Sequence, residues 1–496
     1  MSHGDADNGV TTPRSSFYDQ GRFGRMFPTL APFAADTPTT RQALLEIGSP
    51  GGIMDAQDDL SNAVALITSP ASSLHNPDNP ALTAGFTFLG QFIDHDMTFD
   101  PTSSLARRQD PESIRNFRIP ALDLDNVYGG GPGVSPALYD ATVDAGRTTM
   151  LVEEIHGSSA VTIDGHSRFD LPRNSQRVAI IGDPRNDENL MVSQLHLAFL
   201  RFHNTVVVDV KADLGPAYTP EEIFVEAQRI VRWHYQWMVL HEFLPRTIGS
   251  DLANDIHTNG RKFYAWRNDP YIPVEFSVAA YRFGHSQVRP SYRANFGTSA
   301  TDATRQFFGL VFAPGDPNPL DPNDLRGGCR APRRFIDWQT FFDFGDGKVR
   351  HNKKIDTTLS SILFQLMGMA SGTPDSLAIR NLQRNLTMKV PSGQSVAKAM
   401  GLTPLPPTTF TDLAEHHLDA RTPLWFYVLR EAEVSAGGEH LGPVGGRIVG
   451  EVIHGLIESD SQSYLSQDPE WVPTYGTGGT FGVTDLLLAA GVVGTL

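Results

Sequence analysis

At 496 residues the chain is long enough for one large domain or several, with a sizeable core. Its 40 basic and 56 acidic residues give a net charge of −16 with no Lys/Arg cluster, which argues against nucleic-acid binding. A single cysteine, Cys329, excludes an internal disulfide, and the longest C-terminal apolar run, 486–493, is too short to span a bilayer.

The first residues lack the basic segment and apolar stretch of a Sec signal peptide, so the expected location is cytoplasmic, or secreted without such a signal. Residues 1–80 are rich in Pro, Asp, Thr and Ser, with one helical patch at 40–47, and read as an arm packed on a main domain over 81–496. In the main domain, Phe86, Phe88, Leu89, Phe92 and Ile93 have the spacing of a buried helix. Gln91 and His95 then share one face, with Asp94 beside them and Asp96 pointing elsewhere. Burying a histidine between two carboxylates is costly, so a polar or metallic partner is expected there.

A hairpin is expected within 149–172, pairing Met150-Leu151-Val152 with Val161-Thr162-Ile163 around a Gly-Ser-Ser turn. Asp183, Pro184 and the acidic residues after them have the pattern of a helix start for an apolar stripe over 187–213. Further helical periodicity covers 220–243, 357–371, 423–433 and 445–459. Taken alone, Arg185 and Glu188 suit a surface ion pair one turn apart, and His196 and His203 suit hydrogen-bonded core positions. The stretches Tyr281-Arg282-Phe283-Gly284-His285 and Arg380-Asn381-Leu382-Gln383-Arg384 each have an ordinary explanation when met singly. The coarse reading is a mainly α protein: one large helical domain, a small β-hairpin and an extended N-terminal arm.

In this order, the four stretches resemble the animal-type haem peroxidase superfamily of myeloperoxidase, peroxidasin and the cyclooxygenases, and look most like its bacterial members. Residues 90–96 resemble the distal helix motif, 182–204 the catalytic arginine motif, Arg282 to His285 the proximal motif, and Asn381 to Arg384 its partner. The segment 441–447 resembles a late structural stretch of the family. The resemblance implies haem b with His285 on the iron and Asn381 accepting the hydrogen bond of its other nitrogen. It implies His95 as the base that takes and returns the peroxide proton, and Arg185 as the cation that stabilises charge developing on the peroxide. Gln91 would hold water or an anion nearby.

Asp94 and Glu188 stand where family members form ester bonds to haem methyl groups, whereas Asn189 replaces a methionine that makes a third linkage in myeloperoxidase. Arg282 and Arg384 would pair with the propionates. The family's calcium site implies Asp96, Asp123 and Asp125 as carboxylate ligands, with the carbonyls of Ile119 and Ala121. Ile119 replaces the usual Thr, and Asp125 stands where Ser is common.

Cyclooxygenases and fatty-acid dioxygenases carry a radical-forming tyrosine three residues before the proximal histidine. Arg282 stands there, and Tyr281, one residue earlier, is expected to face another direction by about 100° on a helix. The segment after Arg384 lacks the Arg-Asp-His run of the mammalian enzymes. The resemblance therefore implies an enzyme that reduces hydrogen peroxide and oxidises small organic donors, halides or thiocyanate through a compound I intermediate. A fatty-acid dioxygenase, or a non-catalytic haem or binding protein on the same scaffold, is the alternative. The oligomeric state is not written in the sequence.

Overall fold

Helices carry the core because apolar residues recur at three- and four-residue spacing between well-formed caps. The structure, a computed structural model, describes residues 21–100, 115–143, 146–266, 269–312, 325–328, 330–366 and 374–495. Cys329 and residues 1–20 of the arm lie outside that set. The first helix, α1 (Pro38–Gly48), begins at Thr37, whose side chain accepts from Thr40 N, with proline in its first turn. Next comes α2 (Gly85–Met97), hydrophobic nearly all round and buried accordingly. It packs on α3 (Leu190–Leu214), which in turn packs on α4 (Pro220–Met238).

A capping box, Thr219 with Glu222, opens α4. The helix runs on into a π turn, Val239–Phe243. After α5 (Ser250–Asn259), the last long helices are α6 (Leu377–Thr387), α7 (Leu424–Ala436) and α8 (Pro443–Ser459). Gly437 closes α7 in the left-handed conformation that glycine adopts without a Cβ penalty. One hydrophobic cluster runs from Phe23 to Ala490, with Trp338, Trp425 and Phe92 fully buried in it.

Strands are short, and those at Ile272–Pro273 and Ser291–Asn295 are largely buried. β1 (Gly21–Gly24) pairs antiparallel with β3 (Arg115–Asn116) and parallel with β6 (Ile272–Pro273). β2 (Asp78–Thr83) pairs with β9 (His351–Lys353), and β7 (Ser291–Asn295) with β8 (Phe307–Leu310). The arm beyond residue 20 joins the common core: Phe23, Phe33, Leu44 and Ile47 are buried, and α1 packs on α6. Its backbone is pinned where Met26 N and Phe27 N donate to the buried Glu275 carboxylate.

Three local expectations need correction. The hairpin lies within 149–172 but pairs other residues: β4 (Glu153–Glu154) pairs with β5 (Phe169–Asp170), while Ser158–Val161 forms a 3₁₀ turn. Within the described part of 357–371 the only helical element is a 3₁₀ turn, Ser361–Phe364, because Leu359 bonds to the arm: its N donates to Met54 O and its O accepts from Ala56 N. Asp183 caps a separate 3₁₀ turn, Pro184–Asp187, and Asn189 caps α3 by accepting from Val192 N.

Candidate functional site

A cavity of about 400 Å³ opens between α2, the turn that precedes α3, and the 3₁₀ turn Ala280–His285. Gln91, Asp94 and Glu188 line it from the first two elements, and Arg282, Gly284 and His285 from the third. Phe86, Phe88, Val288 and Leu377 supply apolar wall, so the cavity suits an apolar group with a few polar edges. Gly284 presents bare backbone: a Cβ there would meet nothing within 4 Å and would stand in open space.

His285 sits on the 3₁₀ turn rather than on an α-helix. The turn is held by Arg282 Nε donating to Ser277 O at 2.9 Å and by Trp425 Nε1 donating to Arg282 O at 3.1 Å. The Asn381 amide nitrogen lies 2.7 Å from His285 Nδ1, so the expected pair forms. Here the amide nitrogen faces Nδ1, and the amide accepts from Nδ1–H after turning over. Burial pushes the His285 pKa well below the usual histidine value, helped by the charges of Arg282 and Arg380. A neutral imidazole is the form that binds a metal. Arg380, one turn before Arg384, lines the cavity; Arg384 is not among the lining residues.

On the α2 side, Gln91 is clamped. Its Nε2 donates to Glu188 Oε1, and its Oε1 accepts from Asn189 Nδ2 at 3.1 Å. Asp94 accepts from Thr98 Oγ1 at 3.0 Å. Burial pushes the Glu188 carboxyl up to about 7. Glu188 therefore contacts Gln91, and the simple Arg185–Glu188 surface pair does not form.

His95 and Arg185 do not line the cavity in this state. His95 is fully buried, its Nδ1 lies 2.8 Å from Asn186 Oδ1, and burial followed by the Arg185 charge lowers its pKa to about 4. Arg185 turns to Asp183 (Nη2–Oδ2 2.7 Å), donates to the carbonyls of His95 and Thr98, and lies over the Phe99 ring at 4.6 Å. Burial would raise the Asp183 carboxyl, but the guanidinium groups of Arg185 and Arg118 hold it well below the carboxylate range. Arg185 thus acts on His95 through its field and its backbone contact, not from the cavity wall.

Behind α2, single oxygens of Asp96, Asp123 and Asp125 lie within 4.8 Å of one another. Asp96 is fully buried: Oδ2 accepts from Leu124 N at 3.2 Å, and Oδ1 has no donor in hydrogen-bonding geometry. Leu124 adopts φ 61°, an uncommon conformation for a side chain of its size. Burial, then the Asp123 and Asp125 charges, pushes the Asp96 carboxyl well up. A buried carboxylate whose neighbours are two more carboxylates and the buried Tyr235 hydroxyl fits a hard cation. Two features oppose it: Ile119 O already accepts from Ala121 N at 2.8 Å, and buried Arg118 binds Asp125 at 3.1 Å.

A model of the family described as "Animal haem peroxidase" matches residues 110–481. The chain belongs to the animal haem peroxidase family. A "Peroxidase-like protein" of Margaritifera margaritifera is 39% identical over 112 residues, which take in 22% of this chain and 14% of that protein. Thyroid peroxidase of Rattus norvegicus is 26% identical over 207 residues, 40% of this chain and 22% of that enzyme. The match thus spans less than a quarter of either relative. Among solved structures, peroxidase A of Dictyostelium discoideum has the same fold, with a TM-score of 0.56 and 16% identity over 94% of each chain. Fatty acid alpha-dioxygenase of Oryza sativa has it too, with a TM-score of 0.57 and 16% identity over 88% of this chain and 79% of that one.

Membership of the animal haem peroxidase family implies haem, and the bare Gly284 backbone and the neutral His285 fit it. Several residues of the site were given no lining or positioning role from the sequence, although Asn186, Asn189 and Arg380 lie in or beside its motifs. Arg326 and Arg380 line the cavity, and Asn186 and Asn189 hold His95 and Gln91. Arg118 bridges Asp125 and Asp183, and Arg173 grips Asp187 on the turn before Glu188. Each lies far along the chain from at least one partner or outside the four motifs, so periodicity cannot reveal it. Tyr281, expected to turn away, does line the cavity, with its hydroxyl donating to Gly90 O at 3.1 Å.

Proposed function

We propose that the protein is a haem peroxidase that reduces hydrogen peroxide and oxidises small organic donors, halides or thiocyanate. The observation that carries this reading is one cavity lined both by His285, paired with Asn381, and by the Gln91, Asp94 and Glu188 carboxamide–carboxylate group. Haem b, when bound, supplies the iron on which peroxide is reduced. His285 would hold the iron, and Asn381, once turned, would fix the ring by accepting from Nδ1–H. Arg282, with Arg380 or Arg384, would take the propionates. Asp94 and Glu188 reach the cavity where ester links to haem would form.

His95 would take the peroxide proton at Nε2 and return it to the departing oxygen. Gln91 would orient water beside it. Arg185 would contribute positive charge behind His95, or from the cavity after leaving Asp183. Calcium would sit among Asp96, Asp123 and Asp125 with the Ala121 carbonyl, and with the Ile119 carbonyl once its bond to Ala121 N opens. Among the described residues no helix is long and apolar enough to cross a membrane.

The test is to load the protein with haem and record its spectrum before and after peroxide, for wild type and His285→Ala. Wild type should give a Soret band and peroxide-dependent guaiacol or iodide oxidation, and the variant should lose stable haem. An unchanged five-coordinate spectrum in the variant would overturn the assignment. Tyr281 in the cavity wall favours a second reading, a lipid dioxygenase using its phenol. In that case oxygen uptake with linoleate should be rapid and should vanish in Tyr281→Phe. The peroxidase reading expects little uptake in either protein.

A further inference from the structure

One side-chain amide meets two buried imidazoles. Asn186, on the turn Pro184–Asp187, places Oδ1 2.8 Å from His95 Nδ1 and Nδ2 2.9 Å from His196 Nδ1. All three residues have no exposed surface. An amide oxygen only accepts and an amide nitrogen only donates. His95 Nδ1 therefore carries the ring hydrogen and Nε2 the lone pair. At His196 the pattern reverses: Nδ1 is the acceptor and Nε2 holds the hydrogen.

We infer that Asn186 and His196 are positioning residues that lock His95 in the Nδ1–H tautomer, so that Nε2 is the atom able to take a proton. The lock is reciprocal. Turning the amide over would invert both rings at once and present N–H from His95 where a base is needed. His196 is fixed on α3, with its ring edge-on to Phe92 at 6.2 Å and Phe92 stacked on Phe199 at 4.6 Å, which keeps its Nδ1 at the amide, while its Nε2 has no partner in hydrogen-bonding geometry. The Asn186 backbone is fixed too, its N donating to Asp183 O at 3.0 Å. Like His95 itself, neither residue lines the cavity, and the only imidazole that Asn186 joins on the α2 side is His95, so both act through it. This inference rests on the reading of His95 as the proton acceptor.

The experiment uses the haem-loaded protein with ¹⁵N-labelled histidine, as its ferrous carbon monoxide complex, and reads two signatures. Ring ¹⁵N shifts of His95 report which nitrogen bears hydrogen, and the C–O stretch reports whether a lone pair or an N–H faces the ligand. Wild type should show His95 Nδ1–H and a single high-frequency C–O band. Asn186→Leu should show mixed tautomers, a second band at lower frequency, and peroxide reduction slower by about 10–100-fold, the usual cost of losing a group that orients an imidazole. Asn186→Asp keeps an acceptor toward His95 and should keep the wild-type tautomer and band. His196→Phe removes the acceptor for Nδ2 and should release the amide, giving mixed tautomers. These two variants carry the test if Asn186→Leu does not fold. Nε2–H on His95 in wild type, or an unmixed tautomer in His196→Phe, would overturn the inference, whether or not Asn186→Leu folds. If wild type takes up no haem, the peroxidase reading falls, while the His95 ¹⁵N shifts still decide the tautomer.

Discussion

Arg173→Met should be among the most damaging single changes at a residue that neither lines this cavity nor belongs to a motif, because it strips the partner from one that does both. Arg173 holds Asp187 through two bonds, Nη1–Oδ2 2.6 Å and Nη2–Oδ1 2.8 Å, and Asp170 through Nε at 2.8 Å. The three side chains are only 4%, 6% and 5% exposed, so solvent cannot take over the charges. Asp170 keeps a second cation, Arg330 at 3.4 Å, but Asp187 has no other cation in bonding distance among the described residues. Removing one partner of a buried pair costs about 3–5 kcal/mol, because the remaining charge is stranded. Methionine fills most of the arginine volume, which keeps the cavity term small. Urea unfolding of the haem-free protein should show the loss, and Arg173→Met with Asp187→Asn should recover more than about 1 kcal/mol of it through coupling between contacting groups. The turn bearing Glu188 should also loosen, lowering the yield of haem attachment. A single variant within about 1 kcal/mol of wild type, or a double variant no better than the single, would refute the argument.

After repeated peroxide turnover a fraction of haem should resist acid–organic extraction, with Asp94→Val removing one linkage and Glu188→Gln the other; mass spectrometry showing only free haem would make both carboxylates structural. Burial pushes the Glu431 carboxyl up from 4.5 to about 7, although Val444 N and Gly445 N donate to it. Because the folded state binds this proton more tightly than the unfolded state, its contribution favours folding at low pH and is lost as pH rises from about 4.5 to 7. That gap is worth about 3 kcal/mol. Urea denaturation should therefore find the wild type losing about that much more than Glu431→Gln over the window, and parallel pH profiles would contradict the assignment.

Much of the site was legible because it lies in short contiguous motifs. The greasy run around Gln91 and His95 could hardly be anything but a buried helix, and α3, α4, α7 and α8 follow their periodicity to within a few residues. His285 and Asn381 meet as their motifs implied. What failed was decided at long range. Leu359 gives its backbone bonds to the arm, so a stretch that reads as an α-helix forms only a 3₁₀ turn in its described part. Asp183 and Asn189 are both good caps six residues apart, and nothing local says that the first closes a separate turn. Arg380 and Arg384 lie on one helix, and only the assembled walls decide which faces the cavity. The outward turn of Arg185 depends on Asp183, Phe99 and two carbonyls brought together by folding.

The π turn at Val239–Phe243 gives α4 two customers on different bearings. Before it, Arg232 donates to Asp123 O and Gln236 to Leu122 O, steadying the acidic loop. At its last residue, the Phe243 ring lies 3.4 Å from where a Cβ on Gly90 would be, against the back of the helix that carries Gln91. One additional residue in the turn rotates everything downstream by about 100° relative to an unbroken α-helix. Deleting a single residue there would leave a perfectly good helix, yet it would swing Phe243 off Gly90 while the loop contacts stayed put. At this point the phase of the helix matters more than the identity of any one side chain.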